Sequence, residues 1–248
     1  MKETSPFLIE VVASTVQSCI AAEQGGAKRI ELCTALATAG LTPGPALLRA
    51  VKRAVRIPVV VMIRPREGDF CYTREEMELM KSEIDDLGEA GADGFVFGLL
   101  TPDSTIDESK TRELVKHCGK IPAIFHRAID CTPHILESLE CVKQTGCVRV
   151  LSSGGATNGA EGIETLIRMH HAAQGILTIM PGGGLRPESF EKVLREELRE
   201  YHLSGRLPYP AAHAGNLFDF QRQETDREQI LLVHKKCEDF FHRENMPK

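Results

Sequence analysis

The chain has 248 residues, of which 42% are hydrophobic and 26% are charged, and its formal net charge is -5. This composition is typical of a soluble globular protein with one large core, and the length matches that of a (β/α)8 barrel, about 250 residues. The small negative charge, with no basic stripe interleaved with aromatic residues, argues against nucleic acid as a partner. Because the sequence has neither a signal-peptide pattern nor an apolar run near the roughly 20 residues of a membrane span, we expect a cytoplasmic protein without membrane contact.

Short apolar segments alternate with helix-like segments along the chain. The predicted strands are Phe7–Ala13, Arg29–Cys33, Val59–Arg64, Gly94–Leu100, Ala123–Asp130, Val148–Ser153, Leu177–Pro181 and Glu200–Ser204. Their starts lie roughly 22 to 35 residues apart, which is the spacing of successive βα units. Eight units favour an α/β fold of the (β/α)8 TIM-barrel type over an open doubly wound sheet, which needs only about five or six strands.

Helix signals lie between these strands. Arg74–Gly88 has a helical pattern, and Thr73 before it is a favourable N-cap. After the eighth strand, residues 205–222 show no period and predict an irregular loop. A final helix, Thr225–Phe241, is expected to close the barrel. Since no linker or low-complexity tract interrupts the pattern, residues 1–248 are predicted to form a single domain.

The segment Ile57–Phe70 carries the clearest functional signal. Its apolar run, Val59–Ile63, is typical of a strand buried on both faces, and it ends in Arg64-Pro65-Arg66. Parallel α/β folds bind their ligands beyond the carboxyl ends of the strands. Arg64 and Arg66 therefore predict an anion-binding site at the mouth of the barrel.

Ionisable side chains within the other apolar strands are candidate catalytic groups. Glu31 and Cys33 share one face of the second strand, and His126 and Asp130 share a face at the end of the fifth. Burying such groups is costly unless they are paired or used in chemistry. Glu31, His126 and Asp130 are therefore predicted to act in acid–base chemistry, while a buried ion pair or a structural histidine is the alternative explanation.

Two glycine-rich turns extend the predicted anion site. Met180-Pro181-Gly182-Gly183-Gly184 follows the seventh strand, and Ser153-Gly154-Gly155 follows the sixth. Glycines let backbone N–H groups approach a ligand closely, and barrels often bind phosphate after strands seven and eight. Arg127, Ser153, Gly182 and Gly183 are the predicted anion ligands, although such turns also occur with no ligand.

Cysteine usage allows a soft-metal site as well. None of the eight cysteines forms a C-x-x-C pair, so no zinc-knuckle or thioredoxin motif is present. Cys33 is the best candidate ligand for Cu(I), which thiolates suit, and Cys71 in the loop after the third strand is its predicted partner. His126 or His202 would complete such a site, while packing in the core is the alternative role for a buried cysteine.

The motifs IRPREGDFCY, FHRAID and MPGGG strongly resemble those of the CutC family of copper homeostasis proteins. The segments IELCTALATAGLTP, GADGFVFGLL and VRVLSSGG extend the resemblance over roughly residues 7 to 206. It implies a cytoplasmic (β/α)8 barrel, a homodimer or homotetramer, and a role in copper handling with Cu(I) bound by cysteines near strands one and two. The strand-two cysteine matches Cys33, whereas the strand-one cysteine of some members corresponds to Val12, which is not a ligand.

The sequence therefore supports two main functional hypotheses. The resemblance implies a copper homeostasis protein that binds or handles Cu(I). The local residue types favour an enzyme, of unassigned reaction, that binds a small anionic metabolite through a carboxylate or phosphate group, with Glu31 or His126 as the general acid or base. A barrel that serves as a binding or scaffold module is the third hypothesis.

Overall fold

A computed structural model of the protein describes residues 5–208 and 223–244. Eight strands form its central sheet: β1 (Leu8–Ala13), β2 (Arg29–Leu32), β3 (Val59–Met62), β4 (Gly94–Phe97), β5 (Ala123–Phe125), β6 (Arg149–Ser152), β7 (Thr178–Pro181) and β8 (Glu200–Leu203). The hydrogen-bonded order is β7-β6-β5-β4-β3-β2-β1-β8, with parallel neighbours throughout. Because β7 and β8 pack side by side at the two ends of this order, the sheet is nearly closed, and the predicted TIM-type barrel is confirmed.

Helices alternate with the strands around the outside. They are α1 (Val16–Gln24), α2 (Pro45–Ala54), α3 (Arg74–Glu89), α4 (Glu108–His117), α5 (Ile135–Lys143), α6 (Ile163–Ala173) and α7 (Arg227–Glu244). None of the helices in the described part of the chain combines the length and the apolar character needed to cross a membrane. The prediction for α3 is confirmed, since Thr73 and Glu76 form a capping box that satisfies two backbone N–H groups at its start.

The sheet separates two apolar regions. All residues of β2, β3 and β4 are buried, one face against the helices and the other toward the barrel axis. The inner cluster consists of Cys33, Val60, Met62, Val96 and Ile124. Burying an aliphatic side chain of this size contributes about 1.5–3 kcal/mol, so the cluster fixes which strand residues face inward.

The fifth strand is shorter than the sequence pattern predicted. The expected span was Ala123–Asp130, but β5 ends at Phe125 and the chain continues as a 3-10 helix, Arg127–Cys131. The His126 side chain ends the strand because its Nδ1 accepts a hydrogen bond from the backbone N–H of Ala128, 3.2 Å away. This side-chain cap turns Arg127 and Asp130 toward the barrel mouth.

The chain after β8 also differs from the prediction. Within the expected loop, Arg206–Pro208 form β9, which pairs antiparallel with β10 (Gln223–Thr225). The predicted final helix therefore begins later, at Arg227, because Thr225 belongs to β10. Residues 209–222, most of the predicted loop, lie outside the described residues.

Candidate functional site

A cavity of about 480 Å³ lies at the carboxyl-terminal ends of the strands. Its charged and polar lining residues are Glu31, Arg64, His126, Arg127, Asp130, His202, Ser204 and Arg206. Its other lining residues include Val12, Met62, Phe70, Gly183, Gly184 and Leu185. Of the predicted site residues, the structure brings Glu31, Arg64, His126, Arg127, Asp130 and Gly183 together here.

Two carboxyl groups in contrasting environments lie close to the lining residue His202. Glu10 on β1 is fully buried, and its two oxygens accept hydrogen bonds from Arg29 and from His202 Nδ1, the latter at 2.7 Å. Although burial opposes ionisation, these two cations lower the pKa of Glu10 to about 2. Glu10 is therefore ionised at neutral pH, and its role is to hold His202 in place.

Glu31 on β2 has no comparable partner. Its side chain is buried, and among the described residues its Oε2 atom has no hydrogen-bond partner. Burial raises the pKa of Glu31 to about 7, with the nearby Glu10 carboxylate acting in the same direction. When two carboxyl groups have pKa values pushed apart, the one near neutrality is the candidate proton donor or acceptor.

His202 lies between these two carboxyl groups. Burial disfavours the charged ring, but Glu31 and Glu10 outweigh this and raise the pKa of His202. An imidazolium at the end of β8 supplies positive charge to the cavity. One ligand atom from each of Glu10, Glu31 and His202 lies within 4.8 Å of the others, so the three also form an oxygen- and nitrogen-based candidate metal cluster.

His126 differs from His202 because it is held neutral. Burial, followed by the nearby Arg64 guanidinium, lowers the pKa of His126 to about 3. Since Nδ1 accepts the Ala128 N–H, the proton of the neutral ring lies on Nε2, which has no partner among the described residues. His126 can therefore donate a hydrogen bond to a ligand, whereas the predicted role of general base suits Glu31 better.

Arg64 holds two loops together at the cavity wall. Its Nη1 donates to the carbonyl oxygens of Thr38 (2.7 Å) and Gly40 (3.1 Å), and its Nη2 donates to that of Gly68 (3.0 Å). The guanidinium also lies over the ring of Phe70, 5.2 Å from its centroid. Arg64 faces inward as predicted, but these contacts use most of its donors within the protein.

Arg66 does not line the cavity, which corrects the prediction that it points into the mouth. Its Nε donates to Glu76, and its Nη2 donates to Asp69 and to the carbonyl of Cys71. The residue after Pro65 leaves the strand alternation because β3 has already ended at Met62. Arg66 thus closes its own loop onto the start of α3.

Asp130 organises the β5–β6 side of the cavity. Its carboxylate accepts hydrogen bonds from Ser152 Oγ (2.6 Å), from the N–H groups of Ser153 and Gly155, and from Arg127 Nε (2.9 Å). A carboxylate with this many donors is suited to positioning its neighbours more than to taking a proton. Ser153 is not itself a lining residue; its Oγ accepts a hydrogen bond from Arg127 Nη2 at 2.9 Å.

The glycine-rich turn after β7 lies next to Arg127, at the β5–β6 side of the cavity. Gly182 packs against Leu151 and its N–H donates to Ser152 O (2.9 Å), whereas Gly183 and Gly184 line the cavity. Gly183 has a φ of 78°, and a Cβ there would lie 2.7 Å from Arg127 Cζ. A glycine is required here because any side chain would displace the guanidinium.

The two candidate copper ligands are not brought together. Cys33 belongs to the inner cluster inside the barrel, whereas Cys71 packs against the outer core between sheet and helices. Burial strongly raises the pKa of Cys33, which disfavours the thiolate. Val12 pairs with Glu31 in the β1–β2 register, and it lines the cavity. At the position where some family members have their strand-one cysteine, this chain therefore has an apolar side chain.

Sequence reasoning missed two lining residues. Arg206, which opens β9, lines the cavity, and its buried Nε has no partner among the described residues. Phe70 contacts the His126 ring edge-on, with the ring centroids 4.9 Å apart. The position of Arg206 just after the last strand was a usable signal, whereas Phe70, although it lies within the IRPREGDFCY motif, carries no ionisable group that would mark it as a site residue.

Comparison with known proteins identifies relatives over most of the chain. The model of the CutC family matches residues 7–207. The copper homeostasis protein cutC homolog of Homo sapiens is 42% identical over 201 residues, covering 81% of this chain and 74% of the human protein. The family protein CutC of Chromobacterium violaceum is 36% identical over 239 residues, covering 92% of this chain and 97% of that protein.

Solved structures agree with the fold. The CutC crystal structure from Streptococcus agalactiae has a TM-score of 0.74 at 28% identity and covers 79% of this chain and 97% of its own. A protein described as QR15, an aldolase, has a TM-score of 0.60 at 12% identity, with 98% of each chain covered. The latter similarity concerns the barrel fold alone.

Proposed function

The chain belongs to the CutC family, and on that premise we propose that its cavity binds a small anionic metabolite and that Glu31 transfers a proton to or from it. One observation carries the proposal. Five buried side-chain polar atoms among the described residues lack a hydrogen-bond partner, and four of them belong to the cavity residues Glu31, Arg64, His126 and Arg206. Buried polar groups are almost always paired, so their concentration here supports a polar ligand.

The charges of the cavity support an anion in particular. Arg127 and Arg206 are cationic, and the raised pKa of His202 favours its imidazolium form. Neutral His126 adds an Nε2–H donor that stays available because protonation of the ring is disfavoured. Glu31 is the ionisable group whose pKa of about 7 suits proton transfer at neutral pH.

The proposal predicts that anion binding is linked to proton uptake by Glu31. An anion in the cavity disfavours the Glu31 carboxylate, so wild-type affinity should fall above pH 7 by up to about tenfold per pH unit. Glu31→Gln, whose amide stays neutral, should remove the part of this fall that Glu31 causes and take up fewer protons on binding, leaving the smaller part that follows the loss of the His202 charge. Calorimetric titration with sulfate and with acetate, whose charges do not change around neutral pH, in buffers of different ionisation enthalpy, measures both affinity and proton uptake.

Glu89→Ala is the matched control, since Glu89 is exposed, lies at the end of α3 where the chain leads into β4, and is not a lining residue. It should reproduce the wild-type pH profile. An unchanged profile in Glu31→Gln, with proton uptake retained, would contradict the assignment of Glu31.

Cu(I) binding is a second candidate function, supported by the names of the relatives and by one contact. Cys33 and Met62, a thiol and a thioether, share the small cluster inside the barrel, and both are soft ligands. We expect Cu(I) titration of the reduced protein against a competing chelator to give an affinity that Cys33→Ser lowers at least about tenfold. Cys71→Ser is the matched control and should bind as the wild type, because Cys71 lies in the outer layer. Equal binding by Cys33→Ser and the wild type would rule out this site.

We also propose a cytoplasmic location and a homodimer or homotetramer, both supported by the family resemblance. Sedimentation velocity of the full chain tests the assembly. A monomer at micromolar concentration would contradict it.

A further inference from the structure

The turn after β7 presents unpaired backbone donors to the cavity. Gly183 and Gly184 have φ angles of 78° and 66°. Within the described part of the chain, the N–H groups of Gly183, Gly184 and Leu185 donate to no acceptor. The turn is nevertheless anchored, because Gly182 N–H donates to Ser152 O and Gly183 O accepts from Gly159 N–H, each at 2.9 Å. Successive free N–H groups in a left-handed turn form a concave anion-binding nest.

Arg127 is fixed beside this nest. Its Nε is bound to Asp130 and its Nη2 to Ser153, each at 2.9 Å, and its side chain is 42% exposed. The absence of a Cβ at Gly183 lets the guanidinium lie against the backbone of the turn. The Nη1 group has no hydrogen-bond partner among the described residues and is left for a ligand.

This donor arrangement favours a tetrahedral anion over a planar one. A carboxylate pairs best with two parallel N–H groups of a guanidinium. The Nε–Nη2 edge of Arg127 is already occupied by Asp130 and Ser153. The remaining donors, Nη1 and the backbone N–H groups of the nest, belong to different groups and suit the three oxygens of a phosphoryl group.

The nest also lies across the barrel from the proton-transfer residue. In the ring that β7 and β8 nearly close, β2 with Glu31 is four strands away from β6 and three from β7. A ligand held at the nest would therefore extend its other end past His202, on the neighbouring β8, toward Glu31. This separation fits a small molecule with a phosphate at one end and a polar reacting group at the other.

We propose that the metabolite is a phosphate monoester whose phosphoryl group binds the N–H groups of Gly183, Gly184 and Leu185 and the guanidinium of Arg127. The inference rests on the proposed function, which it deepens by naming the substrate class. Asp130 is a positioning residue, because it acts through Arg127 and Ser153. Gly183 contributes through its backbone and through the space that its missing side chain leaves.

The test uses inorganic phosphate and acetate with the full chain at constant ionic strength. In a ¹H–¹⁵N spectrum, phosphate should shift the amide signals of Gly183, Gly184 and Leu185, and calorimetry should show it binding at least about tenfold tighter than acetate. Arg127→Met and Gly183→Ala should each weaken phosphate binding by about tenfold or more. Arg168→Met, which removes an exposed arginine of α6, is the matched control and should bind as the wild type.

Circular dichroism and the thermal midpoint show whether each variant is folded. The ¹H–¹⁵N spectrum of the wild type with phosphate tests the nest without any variant. Phosphate that leaves the three amides unshifted, or acetate that binds as tightly, overturns the phosphate assignment. If acetate still binds with the Glu31-dependent pH profile, the proposed function survives that failure. If phosphate binds the nest but Glu31→Gln leaves the pH profile unchanged, the anion site stands and the proposed function fails.

Discussion

Glu10→Ala should lower the free energy of unfolding by about 3–5 kcal/mol, the usual cost of removing one partner from a buried ion pair. Glu10 is fully buried, and its loss leaves Arg29 and His202 without their shared acceptor. Arg29 retains Glu200, 2.7 Å away, but His202 loses the hydrogen bond that fixes its ring. Urea denaturation followed by circular dichroism measures the change.

Glu89→Ala is the control here too, because this exposed residue forms no side-chain hydrogen bond or ion pair within the described part of the chain. It should change the free energy of unfolding by less than about 0.5 kcal/mol. A loss below about 1 kcal/mol in Glu10→Ala would show that the buried pair carries little net stability.

The same carboxyl group predicts a pH dependence of stability. Its pKa falls from the ordinary value of 4.5 to about 2 in the folded protein, so the unfolded chain binds its proton more tightly. The stabilisation is therefore complete above pH 4.5 and is lost as the pH falls through 2. A shift of this size corresponds to about 3 kcal/mol, and Glu10→Ala should remove this part of the acid dependence.

Arg64→Met should lower the free energy of unfolding by about 2–4 kcal/mol, since charge-assisted hydrogen bonds contribute about 1.5–3 kcal/mol each and are not additive. The substitution leaves three carbonyl oxygens, those of Thr38, Gly40 and Gly68, without this donor. The loops after β2 and β3 should then exchange their amide protons faster. Methionine keeps much of the apolar volume, so the effect reports the lost donors.

A second readout separates this role from general destabilisation. The Arg64 guanidinium contributes to the lowered pKa of His126, after burial. In Arg64→Met the pKa of His126 should therefore rise, and NMR titration of the ring protons follows it. If the pKa of His126 is the same in Arg64→Met as in the wild type, the Arg64 guanidinium does not lie close to the His126 ring.

Arg66→Met is the matched control for Arg64→Met. Arg66 is two residues away and its side chain donates five hydrogen bonds against three from Arg64, but it is 35% exposed and its ion pairs with Asp69 and Glu76 are at the surface. Such pairs contribute about 0–1 kcal/mol. A loss in Arg66→Met as large as that in Arg64→Met would contradict the distinction between the two arginines.

The barrel was predictable because its signal is repeated locally. Each short apolar run, such as Val59–Ile63, indicates a strand buried on both faces, and the spacing of eight such runs suits βα units. The alternation of side chains also predicted that Glu31 and Cys33 face the barrel axis, and Cys33 lies in the inner cluster as expected. At the end of β5 the pattern predicted a strand that is too long. There the His126 side chain accepts a hydrogen bond from the backbone N–H of Ala128, and the hydrogen bonding between strands stops.

Arg64 and Arg66 show that the partners of a side chain beyond a strand end could not be predicted from the sequence. Arg64 and Arg66 share parity along an extended chain, so the sequence assigned them the same site. The strand ends at Met62, however, and Arg66 turns to Glu76 while Arg64 turns to three loop carbonyls. These partners belong to loops and a helix that come close to the arginines only when the fold is packed.

The sequence by itself determined the barrel, the family and the end of the barrel that carries the polar residues, because periodicity, glycine turns and local motifs are properties of consecutive residues. The tertiary structure decided which of those residues meet. It separated Cys33 from Cys71 into different layers, and among the described residues it left Glu31 Oε2 without a hydrogen-bond partner while giving Glu10 two cationic partners. The physical reason is that burial, charge pairing and pKa depend on neighbours brought in from distant parts of the chain, and these are fixed only when the strands close around one axis.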